Sequence, residues 1–198
     1  MLTEKPAYYD VRSDFWKRHW EMAQGYDAFI EGANPKFAER WRERAERTPE
    51  LTEEQLDRLR GYGRELNVLI YAGAWCGDCA RTGPMLKRIA DACGEKATVK
   101  VIARATSEEL QNELRILGAL RVPVVVFLSE DFFEVGREGD RTLSVYRAKT
   151  AREVGRKFDA GILTPKAISA EFNEWVDIFE KTMIMLRLAP FYRKRYND

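Results

Sequence analysis

Cys76 and Cys79 stand two residues apart in Trp75-Cys76-Gly77-Asp78-Cys79, a spacing that lets two thiols share one redox reaction. A thiolate attacks a disulfide sulfur, and a second thiol close behind attacks the mixed disulfide and frees the product. The first thiol must therefore ionise readily. Leu66 to Ala72 is an apolar run of strand length, Gly73 follows, and Met85, Leu86, Ile89 and Ala90 then recur at helical spacing. The cysteines fall where a strand hands over to a helix, and the free N–H groups of a first helical turn favour negative charge there.

A CxxC can be half of a zinc site, but tetrahedral zinc takes four ligands. The chain offers only Cys93 and His19 besides, with no second CxxC and no HxxxH, so no metal is expected. Cys93 lies at the far end of the helix expected over 77–92. At 1.5 Å per residue that is ~24 Å from the first thiol, far beyond the span of a disulfide. It reads as a bystander.

The same residues carry a resemblance. Trp75-Cys76-Gly77-Asp78-Cys79 resembles the Trp-Cys-Gly-Pro-Cys site of the thioredoxin family, with Asp78 in place of proline. Pro84 matches that family's active-site-helix proline, and Val122-Pro123, before the apolar run 124–128, matches its cis-proline pair. The match spans roughly 52–157. It implies a thioredoxin-like α/β fold with Cys76 as attacking thiol and Cys79 as resolving thiol. Trp75, Gly77, Val122 and a cis Pro123 would shape and tune the groove. It implies a thiol–disulfide oxidoreductase that binds no cofactor itself, acts on a disulfide-containing protein or small molecule, and takes electrons from a separate reductase. A redox-inactive interaction module on the same fold is the alternative. Two departures stand out. The family's buried acid, six residues before the first cysteine, falls on Ile70, and Asp78 places a carboxylate beside the thiolate.

The elements that must position the thiols can be read outward from them. Strands are expected over 66–72, 97–103 and 122–128, with an antiparallel edge strand over 132–137. Helices are expected over 77–92 and 107–117 (Leu110, Leu114 and Leu117 inward). Another should run from a cap at Asp140 to about Phe158, with Leu143, Tyr146, Val154 and Phe158 inward. The alternation argues for an α/β sheet with helices on both faces. No strand is apparent before 52, so a truncated sheet of about four strands is expected, its edge covered by helices.

Upstream, Phe15, His19, Met22, Tyr26 and Phe29 follow helical spacing, widened by Trp16, Trp20 and Ile30, so one helix is expected over 12–30. Its aromatic face should pack on the chain's own core, with a dimer or partner surface as the alternative, and His19 reads as a packed histidine. Asn34-Pro35 starts a helix to about Arg47 that buries Phe37 and Trp41, and Thr48-Pro49 breaks it. Thr52-x-x-Gln55 is a capping box for a third helix, with Leu56, Leu59 and Tyr62 on one face and Gly61-Tyr62-Gly63 ending it. Downstream, Thr164-Pro165 opens a helix with Ile168, Phe172, Trp175, Phe179, Thr182 and Leu186 on one face, docked on the core rather than dimerising. Phe191–Tyr196 mixes aromatics with three basic residues and reads as a docked end rather than a nucleic-acid tail. The organisation expected is a helical extension over 1–51, a thioredoxin-like domain over 52–158 and a second helical extension over 159–198.

Composition fits this reading. Hydrophobic residues make up 45% and charged residues 33%, as in a soluble globular chain. A net charge of +1 gives no overall attraction to nucleic acid or anionic membrane. Three cysteines are an odd set for a secreted disulfide scaffold. There is no N-terminal signal-like run and no apolar stretch of the ~18 residues a membrane span needs. A cytoplasmic location is expected, with oligomeric state left open.

Overall fold

The computed structural model describes residues 8–62, 64–155 and 163–197. Gly63 and Phe158 lie outside these. A mixed sheet of five strands runs in the order β1-β3-β2-β4-β5. Its centre is β2 (Leu66–Ala72), parallel to β3 (Ala97–Ala103) and antiparallel to β4 (Val124–Ser129), which pairs antiparallel with β5 (Glu134–Glu138). Every residue of β2 except Asn67 is buried, and so is all of β4. That is why both read as continuous apolar runs rather than alternating ones.

The sheet corrects the expectation of about four strands. β1 is Gln24–Gly25, antiparallel to the outer edge of β3 with Gln24 opposite Val101. It interrupts the single helix expected over 12–30, which is instead α1 (Ser13–Met22) and α2 (Tyr26–Glu31). Ala23 adopts an extended backbone and turns the chain onto β3. Met22, at the end of α1, consequently points to solvent while Trp16, Trp20, Tyr26, Phe29 and Ile30 are buried. His19 is packed as expected. Its Nδ1 donates to the Phe15 carbonyl at 2.8 Å, and Nε2 lies 2.9 Å from the hydroxyl of Ser107, which caps α6 (Glu108–Glu113).

α3 (Pro35–Glu46) starts at Asn34, whose side chain accepts from the Lys36 N–H, and α4 (Glu53–Arg60) carries the complete Thr52/Gln55 capping box. Trp41 is buried in α3 with Tyr26 and Phe29 edge-on to its ring, whereas Phe37 is only half-buried. α5 (Gly77–Ala92) connects β2 to β3 and packs on α3, α4 and the long C-terminal helix α8 (Pro165–Leu188). All six residues expected on the inner face of α8 are buried, and Phe179 meets Phe127 of β4 edge to face at 5.4 Å. α9 (Pro190–Tyr196) docks beside the sheet, with the Tyr192 hydroxyl bonded to Ser129 and Arg195 to Asp131.

Two further expectations are corrected. The helix over 107–117 ends at Glu113. Leu110 and Leu114 are buried, but Leu117 is 90% exposed at the tip of a two-residue turn between Ile116 and Ala119. Leu117 and Gly118 both take positive φ, 51° and 75°, as such a turn requires. The helix expected from Asp140 is α7 (Leu143–Val154), with Thr142 at the N-cap position. Its inward residues are Val145 and Ala148, so Leu143, Tyr146 and Val154 are exposed. Asp140 does not cap it because its carboxylate is taken by arginines.

Candidate active site

β2 ends at Ala72, and the chain turns through Gly73 to present Trp75 and Cys76. A Cβ on Gly73 would lie 2.7 Å from the Trp75 ring, so only glycine lets the indole fold over this turn. The Cys76 N–H donates to the Gly73 carbonyl at 2.9 Å. The N-terminal helices hold the turn from outside. Trp41 Nε1 donates to the Ala74 carbonyl at 3.0 Å, and Arg40 to the Trp75 carbonyl at 3.1 Å. The Arg104 guanidinium lies over the Trp75 ring at 5.3 Å.

Cys76 is the N-cap of α5, and its Sγ accepts the Cys79 backbone N–H at 3.3 Å. As a thiol it can instead donate to the Val122 carbonyl, 3.6 Å away. Val122-Pro123 is a cis peptide, and its Val122 carbonyl faces the first cysteine. Gly77 opens α5, and Pro84 lies inside it without an N–H to give the preceding turn. Cys76 keeps 9% of its surface exposed and Cys79 none. The outer sulfur is the reachable one.

The two thiols are driven apart electrostatically. Cys76 falls from 9.0 to about 6, first because the Cys79 thiol hydrogen-bonds to it, then against the opposing effect of burial, with help from the backbone N–H groups of Cys79 and Asp78. The Asp78 carboxylate opposes the drop weakly. Cys79 is pushed far up by burial, then by its bond to Cys76 and by the charge there. Cys93 is pushed up to about 12 by burial alone and rests against the Ile89 carbonyl and Met183 at the other end of α5. It stands apart from the pair.

Asp78 is not left to face the thiolate as a bare charge. Its Oδ1 takes Arg81 at 2.7 Å and its Oδ2 takes Arg141 at 2.6 Å. Burial would raise its carboxyl, but the two guanidinium groups outweigh that and hold it below the ordinary value. The chain of charges continues both ways. Arg81 Nε meets Glu171 of α8 at 2.6 Å, Thr82 donates to the same carboxylate at 3.1 Å, and Arg141 meets Asp140 at 2.5 Å. Arg121 also reaches Asp140, at 3.1 Å, and the Tyr146 hydroxyl donates to it. Ile70, where the resemblance would place an acid, is fully buried in β2.

Sequence reasoning missed Arg40, Arg141 and Glu171, and it read Trp41 only as core. Glu171 left a trace, being a carboxylate on the same helical face as Ile168, Phe172 and Trp175. Arg141, in the loop before α7, left none. Among the described residues no group of three or more His, Cys, Asp or Glu side chains is arranged to hold a metal ion, and no helix is long and apolar enough to cross a membrane.

A sequence model described as thioredoxin matches residues 23–152. The chain belongs to the thioredoxin family. The match begins at β1, well before the stretch in which the resemblance was legible, so the family region takes in α2 and α3. Two solved structures share this thioredoxin-like fold. One is a protein of unknown function from Pseudomonas aeruginosa, with TM-score 0.64 and 17% identity over 83% of this chain and 96% of that one. The other is an HIV epitope scaffold, with TM-score 0.66 and 16% identity over 84% and 96%. No curated protein matches.

Proposed function

We propose that the chain is a thiol–disulfide oxidoreductase that reduces disulfides through Cys76 and Cys79. The observation that carries this is the Cys76 sulfur capping α5, with its pKa brought to about 6 while Cys79 beside it stays protonated. At neutral pH the reachable sulfur is then mostly thiolate and the buried one holds the proton needed later.

The Cys76 thiolate bonds to one substrate sulfur, the substrate S–S bond breaks, and the departing sulfur takes a proton from water. Forming the mixed disulfide removes the negative charge on Cys76, which is one cause of the high Cys79 pKa. Cys79 can then lose its proton, bond to the Cys76 sulfur and expel the second substrate thiol. The substrate gains two electrons and two protons, and the dithiol becomes a disulfide. Trp75, Gly77, Val122 and Pro123 frame the sulfur, and Asp78 tunes it. With Ile70 in place of an acid, burial still opposes Cys79 ionisation, so resolution is the slower step. A separate dithiol system, such as a flavin-dependent reductase, would return the electrons. The odd set of three cysteines suits the reducing cytoplasm.

The test is a titration of the Cys76/Cys79 couple against a defined thiol buffer. A reversible two-electron couple near the cytosolic poise supports the reading. No reversible couple leaves a redox-inactive interaction module on the same fold.

A further inference from the structure

A cavity of about 570 Å³ opens beside the Cys76 sulfur, between Trp75, the Leu120–Val122 loop and α7. That volume is in the range of small-molecule sites. Six charged side chains line it: Asp78, Arg121, Asp140, Arg141, Lys149 and Glu153. Five have partners. Asp78 is held by Arg81 and Arg141, Asp140 by Arg121 and Arg141, and Glu153 at the rim by Arg152 at 3.0 Å. Arg81, behind Asp78, is answered by Glu171. The half-buried Lys149 on α7 makes no ion pair or hydrogen bond with any described residue, and its charge is felt at Asp78 across the cavity.

The balance follows from those pairs. Among the paired groups, Arg81, Arg121 and Arg141 offset Glu171, Asp78 and Asp140, while Arg152 offsets Glu153. Apart from the Cys76 thiolate, whose charge passes to the leaving sulfur in the exchange, one ammonium remains, on the wall of a cavity whose other wall carries that nucleophile. We propose that this cavity is a subsite for small disulfides bearing an anionic group, with Lys149 as the residue that selects for the negative charge. This rests on the redox reading of Cys76. The substrate sulfur meets the Cys76 thiolate, its carboxylate lies toward Lys149, and its non-reacting half occupies the space against Tyr146 and Val122. The reaction is the exchange already written. The small disulfide is reduced to two thiols as Cys76 and Cys79 form a disulfide, and the leaving thiolate is protonated by water.

The experiment measures rate constants for the reduced full-length protein with three symmetric disulfides that differ in charge: 3,3′-dithiodipropionate, 2-hydroxyethyl disulfide and cystamine. Intrinsic reactivities differ among them, so the readout is each variant's rate relative to wild type. Lys149→Gln should cut the dithiodipropionate rate by about three- to tenfold relative to the cystamine rate. Lys149→Glu should tilt the ratio further toward cystamine, and Lys149→Arg should restore it. Arg147→Gln removes the same charge from an exposed position of the same helix outside the cavity and should leave the ratio alone. The wild-type preference should weaken as salt rises. A dithiodipropionate-to-cystamine ratio in Lys149→Gln unchanged from wild type, or an equal loss on all three disulfides, overturns the assignment. Insulin reduction in the same samples separates the two readings. If insulin is reduced but the series is charge-blind, only the subsite falls; if nothing is reduced, the redox reading itself falls.

Discussion

The Trp41 indole donates to the Ala74 carbonyl at 3.0 Å, so a helix 35 residues upstream of Cys76 fixes the turn that delivers it. The ring is buried, Tyr26 and Phe29 pack edge-on to it, and Gly83 of α5 leaves no room for a Cβ, which would fall 2.3 Å from the ring. The N-terminal helices therefore act on the site as well as cover the sheet. Trp41→Ala should cost about 3–5 kcal/mol, and Gly83→Ala about 1–3 kcal/mol by overpacking. Deleting residues 1–48 should expose apolar surface and lower the melting temperature. A truncated chain that melts with the full one would refute the role.

The thiols should separate cleanly. Cys79→Ser should trap mixed disulfides through Cys76, Cys76→Ser should abolish insulin reduction, and Cys93→Ser should leave it nearly intact. Loss of activity in a folded Cys93→Ser protein would contradict the assignment.

Removing the Asp78 charge should lower the Cys76 pKa further, because that carboxylate opposes the thiolate. Asp78→Asn should shift it down by about half to one unit. Arg81 and Arg141 keep Glu171 and Asp140 as partners, so the fold should survive at a cost of about 1–3 kcal/mol. The measurement is the pH dependence of Cys76 alkylation in a Cys79→Ser, Cys93→Ser background. A raised pKa would mean the arginines dominate the site differently from the geometry seen here.

Glu171 and Arg81 face each other with side chains only 1% and 4% exposed. Breaking such a pair by removing one partner costs about 3–5 kcal/mol. Glu171→Gln should therefore destabilise strongly in chemical denaturation, while an exposed pair such as Arg18–Glu109 should cost less than about 1 kcal/mol.

Stability of the reduced form should depend on pH through Cys76. Its folded pKa is depressed from 9.0 to about 6, so the stabilisation is fully present above 9, shrinks as pH falls, and is gone below 6. At pH 7 it amounts to about 1–2 kcal/mol. The stability difference between the reduced wild type and Cys76→Ser should grow from pH 6 toward 9. Cys79 and Cys93, both raised, subtract stability only toward the upper end of that window, where the unfolded chain begins to ionise, and because both proteins contain them they largely drop out of the difference. A flat difference would refute the lowered pKa.

The sequence exposed the centre of this fold better than its edges. β2, α5 and β3 fall where expected: β2 is almost wholly buried and reads as a continuous apolar run, Met85, Leu86, Ile89 and Ala90 give α5 its helical spacing, and β3 is rich in β-branched residues. β1 was hidden because two residues have no period, and the aromatic spacing from Phe15 to Phe29 runs through the break at Ala23 as though the helix continued. The face of α7 was misread because apolar residues lie on its outer side, where Tyr146 and Val154 line the cavity. At the site, Cys76, Cys79 and Val122-Pro123 were legible from local spacing. Of the partners of Asp78, Arg81 stands one helical turn on and was legible, but Arg141 was not, since it reaches Asp78 across 63 residues with no local pattern to announce it.

Of the five tryptophans, Trp16, Trp20, Trp41 and Trp175 are buried, and Trp75, next to Cys76, is 50% exposed. A water-soluble collisional quencher such as acrylamide therefore meets one indole freely, and it is the one flanking the nucleophile. The protein carries its own fluorescent reporter: occupancy of the Cys76 groove can be followed as protection of Trp75 emission, without a label and without waiting for turnover.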